Sequence, residues 1–332
     1  MVGGAGFIGS HLCEELSKSN KVICLDNLLT SSESNIDHML QDPNFEFVKH
    51  DVAEPLSLVA REEGLEKFKV AWQGVQEIYY LASPTAHGDI IKFPTETLRA
   101  NSIGVVNMLE LARQNGAKFL FVSSDVIYGK PQEGKQTVAE NYLGWVDHID
   151  DKSPYTEGKR FGETLVTAYK RTYKLDTRIA RVFNSYGPRM RLDDTRLIVE
   201  MVKQALENKP INIYGGEDSL SSYCYVMDIV KGLVRLMDQN ITDPINIGHD
   251  STVKVVDLAR SIIGLTGSTS TLNIVPDYPA PYQKPLLPDI TKAKDQLGWF
   301  PITLLDDGLK HTIDYLRASK GLIDLQEGVQ RV

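Results

Sequence analysis

Short apolar runs alternate along the first half of the chain with longer stretches whose apolar residues return every three or four positions. The runs KVICLD, NFEFVKHD, EIYYLAS, AKFLFVSS and TRIARVFN each fit a strand buried on both faces of a sheet. Between them, GSHLCEELSKS, TETLRANSIGVVNMLELARQNG and SPYTEGKRFGETLVTAYKRTY carry the helical period. Alternation of this kind predicts βαβ units and an α/β fold with a doubly wound parallel sheet of Rossmann type. No internal repeat breaks the rhythm.

After about residue 184 the rhythm changes. Loops rich in Gly, Asp, Ser and Pro appear (YGPRMRLDD, YGGEDSLSS, VPDYPAPYQKPLLPD), with helical stretches such as LIVEMVKQALENK and VKVVDLARSIIGLTG between them. The expectation is a nucleotide-binding domain over 1–183, rejoined at about 222–248. A smaller substrate lobe is expected from 184–221 and 249–332.

The opening MVGGAGFIGSHL places Gly3, Gly6 and Gly9 at the spacing of a phosphate-binding turn that feeds a helix. Asp26 ends the next strand, at the distance of a ribose-binding acid, and a carboxylate there repels a 2′-phosphate; NAD is favoured over NADP. Only Met1 and Val2 precede the turn, where a buried strand is normally found. A chain that starts a few residues earlier, with an apolar strand ending at Val2, is therefore expected. Without it, backbone groups in mid-sheet would stay unpaired, at about 1–3 kcal/mol each.

In SPYTEGKR, Tyr155 and Lys159 are four apart and share a helix face. An ammonium beside a phenol favours the phenolate, so Tyr155 is the candidate base, with Lys159 lowering its pKa. Ser124, at the end of AKFLFVSS, is placed to hydrogen-bond the oxygen that Tyr155 deprotonates. Asp125 beside it is either an acid of the site or a strand-end carboxylate.

Composition narrows the partners. The 332 residues carry a net charge of −8, which disfavours nucleic acid and anionic membrane. No apolar run reaches about 18 residues, and no basic-then-apolar leader is visible, so a cytoplasmic protein is expected. Three cysteines without short spacing make neither a disulfide framework nor a metal site.

The segments GGAGFIGSHL, HDV, LAS, SSDVIYG, Y-x-x-x-K, RVFNSYGPR, YVMDIVKGL and LGWFP together resemble the extended short-chain dehydrogenase/reductases, the NAD-dependent nucleotide-sugar epimerases and dehydratases. Within that family LASPTA, YTEGKR, FNSYGPRM and HDVAEPL look most like UDP-glucuronate decarboxylases. The resemblance implies that Gly3, Gly6, Phe7 and Ile8 cradle the NAD pyrophosphate. Asp26, Asn27, Leu29 and Thr30 would surround the adenosine ribose, and Asp51 and Val52 the adenine. Leu81 and Ser83 would line the nicotinamide side, with Arg99 and Asn101 nearby; Ser83 would also face substrate. Tyr155 and Lys159 would combine catalysis with a contact to the nicotinamide ribose, and Ser185, Arg191 and Arg196 would touch the cofactor. Ser124 and Asn184 would contact a nucleotide-sugar substrate. The implied chemistry is oxidation at C4 to a 4-keto sugar, and the implied assembly a homodimer through helices near 95–114 and 155–172.

Three departures from that family stand out. Val126 occupies the usual position of a glutamate, while Asp125 matches an acid of the dehydratases. Ser221 stands where an arginine clamps the substrate phosphates. Leu286 and Leu287 replace charge before PD, leaving Arg189, Arg191 and Lys284 to compensate. A decarboxylase, a 4,6-dehydratase using Asp125, a 4-epimerase and a non-catalytic NAD-binding protein all stay open. The stretch 61–74 reads as an added charged helix and His11 as structural; His87, after LASPTA, either faces the sugar or is a solvated loop residue. Trp72, Trp145 and Trp299 read as packing residues.

Overall fold

The computed structural model describes residues 1–56, 66–130, 136–278 and 285–330. Helix α1 (Phe7–Ser17) leads into strands β1 (Val22–Asp26), β2 (Phe45–Lys49) and β3 (Glu77–Tyr80). Next come α2 (Val105–Asn115), β4 (Lys118–Ser124), α3 (Ser153–Tyr173) and β5 (Thr177–Val182). Then follow α4 (Leu197–Leu206), β6 (Ile211–Tyr214), α5 (Val226–Asp238), β7 (Ile245–Ile247), α6 (Val255–Thr266) and β8 (Leu272–Val275). Helices α7 (Thr291–Leu297) and α8 (Leu305–Gln330) close the order. All five strand runs expected from the sequence are strands, because each can bury both faces under helices.

The main sheet runs β2–β1, then Val2, then β3–β4–β5–β7, all parallel. Val2 bridges Leu25 on one side and Tyr80 on the other. Its N–H donates to Tyr79 O (2.9 Å) and its carbonyl accepts from Leu81 N (2.8 Å), while Met1 O accepts from Leu25 N (2.8 Å). Two residues thus hold the central slot, with Val2 only 1 % exposed. The ladder in the central slot runs through Met1 and Val2.

Each sheet face is covered, as a parallel sheet requires. Val105, Met108 and Leu109 of α2 and Val166 of α3 pack on one face with Phe119 and Phe121. On the other, Leu12 of α1 and Ile229, Leu233 and Leu236 of α5 meet Leu120, Val122 and Ala180. Ile290, Ala293 and Leu297 near and on α7, with Trp299, join this second face. They had been grouped with the 249–332 lobe. A further core unites α4, α6 and α8 with the parallel pair β6–β8.

One polar network crosses the first core. Arg181 of β5 donates to both oxygens of Glu163 on α3 (3.0 and 2.8 Å) and to the Tyr128 hydroxyl (2.9 Å). Tyr128 in turn donates to Asn246 Oδ1 (2.6 Å). The helix that carries Tyr155 and Lys159 is thereby tied to β5 and β7.

The long helix expected over 95–116 is interrupted. Residues Ala100–Gly104 form a π-turn, and the Tyr80 hydroxyl takes up the Ala100 carbonyl it releases. Of the helix expected at 61–74, the described part contains the helix Val70–Gln73; 57–65 lie outside the described residues. Trp299 packs as expected, but Trp72 and Trp145 are largely exposed.

Candidate functional site

Two adjoining cavities, of about 360 and 320 Å³, open at the carboxyl ends of the strands. This is where an open parallel sheet leaves a crevice between its crossovers. Thr85, Asp125, Val126, Tyr155, Asn184, Ser185 and Arg196 line both. Tyr155 therefore sits at the junction.

The first cavity is built by the glycine turn, the ends of β1–β5 and the loop after β5. Gly3 adopts φ +79° and touches the backbone of Ala82, where a Cβ would stand 2.7 Å from the Ala82 nitrogen. At Gly9 a Cβ would lie 2.1 Å from Gly3 O. These contacts bring the turn close under the N-terminus of α1, where Phe7 and Ile8 face the cavity. The Asp26 carboxylate accepts from Ala5 N (3.0 Å), Leu28 N (2.9 Å) and Ser31 Oγ (2.7 Å). Two oxygens offer about four acceptor sites, so about one remains for a ribose hydroxyl. A helix N-terminus for pyrophosphate and an acid for ribose fit a dinucleotide without a 2′-phosphate.

Asn27, Leu29, Thr30, Asp51, Val52, Leu81, Ser83, Arg99, Lys159, Arg189 and Arg191 also line this cavity. Asn101 does not. It lies behind the wall on the π-turn, with its amide donating to Ser83 Oγ (2.7 Å) and Thr97 O (2.9 Å). Arg191 spans the cleft: it donates to Thr30 O (2.6 Å) on one side and pairs with Asp89 (3.1 Å) and Asp193 (2.8 Å) on the other. Nothing in the sequence pattern singles out Asp89 for this strap.

The reacting end is compact. Ser124, 8 % exposed, ends β4 and donates to Asp125 Oδ1 (3.0 Å). Its hydroxyl also hydrogen-bonds Tyr155. Burial pushes the Tyr155 phenol up to about 12, against the Ser124 bond and the Arg196 charge, which lower it. Burial also pushes Asp125 up to about 6. Lys159 is brought down to about 7 by burial, and its ammonium donates to Val122 O (2.8 Å). The cation expected to favour phenolate therefore spends one bond on the sheet and lies 5.7 Å from the Tyr155 ring centre; the charges acting on the phenol are Asp125, which raises its pKa, and Arg196, which lowers it. Arg196 is itself paired with Asp194 and lies over the Phe7 ring.

The second cavity holds Ser221 where an arginine was expected, with Tyr214, Ser219, Tyr223 and Tyr278 around it. Ser219 Oγ and the Tyr278 hydroxyl are hydrogen-bonded (2.5 Å). Leu286 lines it and is buried, and Leu287 pairs in a short strand with Thr137; both are apolar because they are covered. Arg189 is absent from this lining. With φ 68° it turns its guanidinium to Glu14 and His38, so it does not take the place of the expected phosphate clamp. Lys284 lies outside the described residues. Lys130, Lys152 and His87 supply basic groups that the sequence reading did not assign. No helix among the described residues is long and apolar enough to cross a membrane.

The family model for GDP-mannose 4,6-dehydratase matches residues 1–312. UDP-glucuronic acid decarboxylase 1 of Xenopus tropicalis is 37 % identical over 318 residues, 96 % of this chain and 71 % of that protein. UDP-glucuronic acid decarboxylase 6 of Arabidopsis thaliana is 40 % identical over 312 residues, 93 % of this chain and 85 % of that protein. The solved UDP-glucuronic acid 4-epimerase of Bacillus cereus, in complex with UDP-glucuronic acid and NAD, superposes with a TM-score of 0.80 at 27 % identity. That match covers 96 % of this chain and 98 % of the epimerase.

Proposed function

This chain belongs to the GDP-mannose 4,6-dehydratase family, and on that footing we propose that it is an NAD-dependent nucleotide-sugar enzyme that oxidises C4 and decarboxylates UDP-glucuronate. The observation that carries the reading is the convergence of Ser124, Asp125, Tyr155 and Lys159 on the first cavity, with Asp125 and Tyr155 shared with the second. NAD would be held in the first cavity by Gly3, Phe7, Ile8 and Asp26, with Asp51 and Val52 on the adenine side. Bound there, it would supply a reversible hydride acceptor for C4. Asn184, Ser185 and Arg196 face both ligands.

Ser124 orients the sugar 4-hydroxyl and Tyr155 takes its proton. A ketone at C4 makes the C5 carboxylate a β-keto acid. Its C–C bond then breaks with the electron pair moving into the ketone, and CO₂ leaves. That step needs no base at C5, which removes the difficulty of a valine at 126. What the step does need is an acid to return a proton to C5. Asp125, held partly protonated near neutral pH, supplies it.

Incubation with UDP-glucuronate and NAD is expected to release CO₂ and leave a pentose nucleotide, without stoichiometric NADH. Absence of CO₂ together with a 4-keto-6-deoxy product from a nucleotide hexose would favour a 4,6-dehydratase, the reading that Asp125 as acid also supports. Asp125→Asn is expected to lower turnover at least tenfold. It also has a stability signature. Folding holds the proton on Asp125 above its ordinary value, so its contribution is fully present below about pH 4 and is lost as pH rises through about 6. The variant escapes that loss, and at pH 8 it should be more stable than the parent by about 1–2 kcal/mol in urea titrations, with no gain at pH 4.

A homodimer belongs to the same proposal. Leu98, Ile103 and Phe161 are exposed on the helices near 95–114 and 155–172, an apolar face suited to pairing. Light scattering at twice the chain mass tests it. A cytoplasmic location is also part of the reading, supported by three buried cysteines that form no disulfide.

A further inference from the structure

His87 opens the short helix His87–Lys92, after the loop that carries Ser83 and Pro84. Its ring lines the second cavity with Asp125, Val126, Lys152 and Tyr155. Its Nδ1 is buried and has no hydrogen-bond partner among the described residues. Buried polar atoms are normally paired, and one left open at a ligand cavity points to the ligand as its partner. Burial and the nearby Lys152 charge lower the basicity of His87, against Asp150 and Asp151, so the ring is neutral at neutral pH and offers one donor and one acceptor.

The position in the cavity says which part of a ligand it meets. Ser124 and Tyr155 fix the C4 oxygen. His87, Asp125 and Lys152 all line this second cavity, so the three groups border one ligand space. If Asp125 serves C5, that region is where the substituent on C5 lies.

We propose that His87 is a specificity-determining residue whose imidazole binds the C5 substituent of the sugar, a carboxylate in the case of a hexuronate. This rests on the C4-oxidation reading above. A bond to a charged group contributes about 1.5–3 kcal/mol, so its loss weakens binding roughly 10- to 100-fold.

The test measures Kd by calorimetry in NAD-loaded protein carrying Tyr155→Phe, which stops turnover. The ligands are UDP-glucuronate and UDP-xylose, the same sugar nucleotide with hydrogen in place of the carboxylate. Adding His87→Phe should weaken UDP-glucuronate at least about 10-fold and leave UDP-xylose within about twofold. His87→Asn, whose amide reaches the place of Nδ1, should recover part of the loss. Equal weakening of both ligands, or no weakening of either, overturns the proposal while leaving the C4 reading standing. Failure of the Tyr155→Phe parent to bind either ligand overturns the C4 reading, and this proposal with it.

Discussion

Tyr155→Phe is expected to lower kcat by about 10²–10⁴-fold, the usual contribution of a positioned proton acceptor. The phenol is 7 % exposed, and the ring keeps its packing in the variant, so thermal unfolding should stay within a degree or two. Substrate Kd should change little, because the hydroxyl acts mainly as charge moves off the 4-oxygen. Burial alone would make this phenol a poor base; the Ser124 bond and the Arg196 charge work against that. Replacing Ser124 with Ala therefore removes one of the two groups that ease its ionisation, and should cost less than Tyr155→Phe itself. Single-turnover kinetics, reading the transient reduction of NAD, separate the chemical step from binding. Undiminished reduction in the Phe variant would exclude Tyr155 as the base.

Arg181→Leu should produce the largest loss of stability. It strands the Glu163 carboxylate in the core, and breaking a buried pair costs about 3–5 kcal/mol. The urea midpoint should fall accordingly. The double variant Arg181→Leu with Glu163→Leu should recover much of the loss, since no charge is left unpaired. The single variant also has a chemical consequence. Glu163 lies one helical turn from Lys159 and favours its ammonium form. Without Arg181 to neutralise it, the carboxylate should raise the Lys159 pKa and move the associated limb of the pH–rate profile upward. A pair that merely packed would leave that limb in place.

Much of this was legible before the fold was known. Strands such as AKFLFVSS declared themselves because apolar residues buried on both faces leave a continuous run. The glycine turn and Asp26 were legible because their spacing follows from what a pyrophosphate and a ribose demand. Tyr155 and Lys159 were legible as a helical i, i+4 pair. Other features leave no such trace. The π-turn at Ala100–Gly104 adds one residue to a turn without changing its composition. Arg189 takes a left-handed backbone conformation that sends its side chain to Glu14, which no linear pattern encodes. His87 has no such trace either, because the cavity it lines is completed by residues 38 and 65 positions away, at Asp125 and Lys152.

The Arg191 strap bears on time rather than on affinity. It joins the loop bearing Thr30 to the segments bearing Asp89 and Asp193 by three contacts at once. The Asp193 contact lies within the strap's own loop, so a dinucleotide seated behind it departs when the Thr30 and Asp89 contacts open together, and its residence time is set by that opening. An enzyme whose hydride comes back within each cycle has no need of exchange. Its nicotinamide then behaves as a permanent fixture, carried through purification rather than drawn afresh from solution for every turnover.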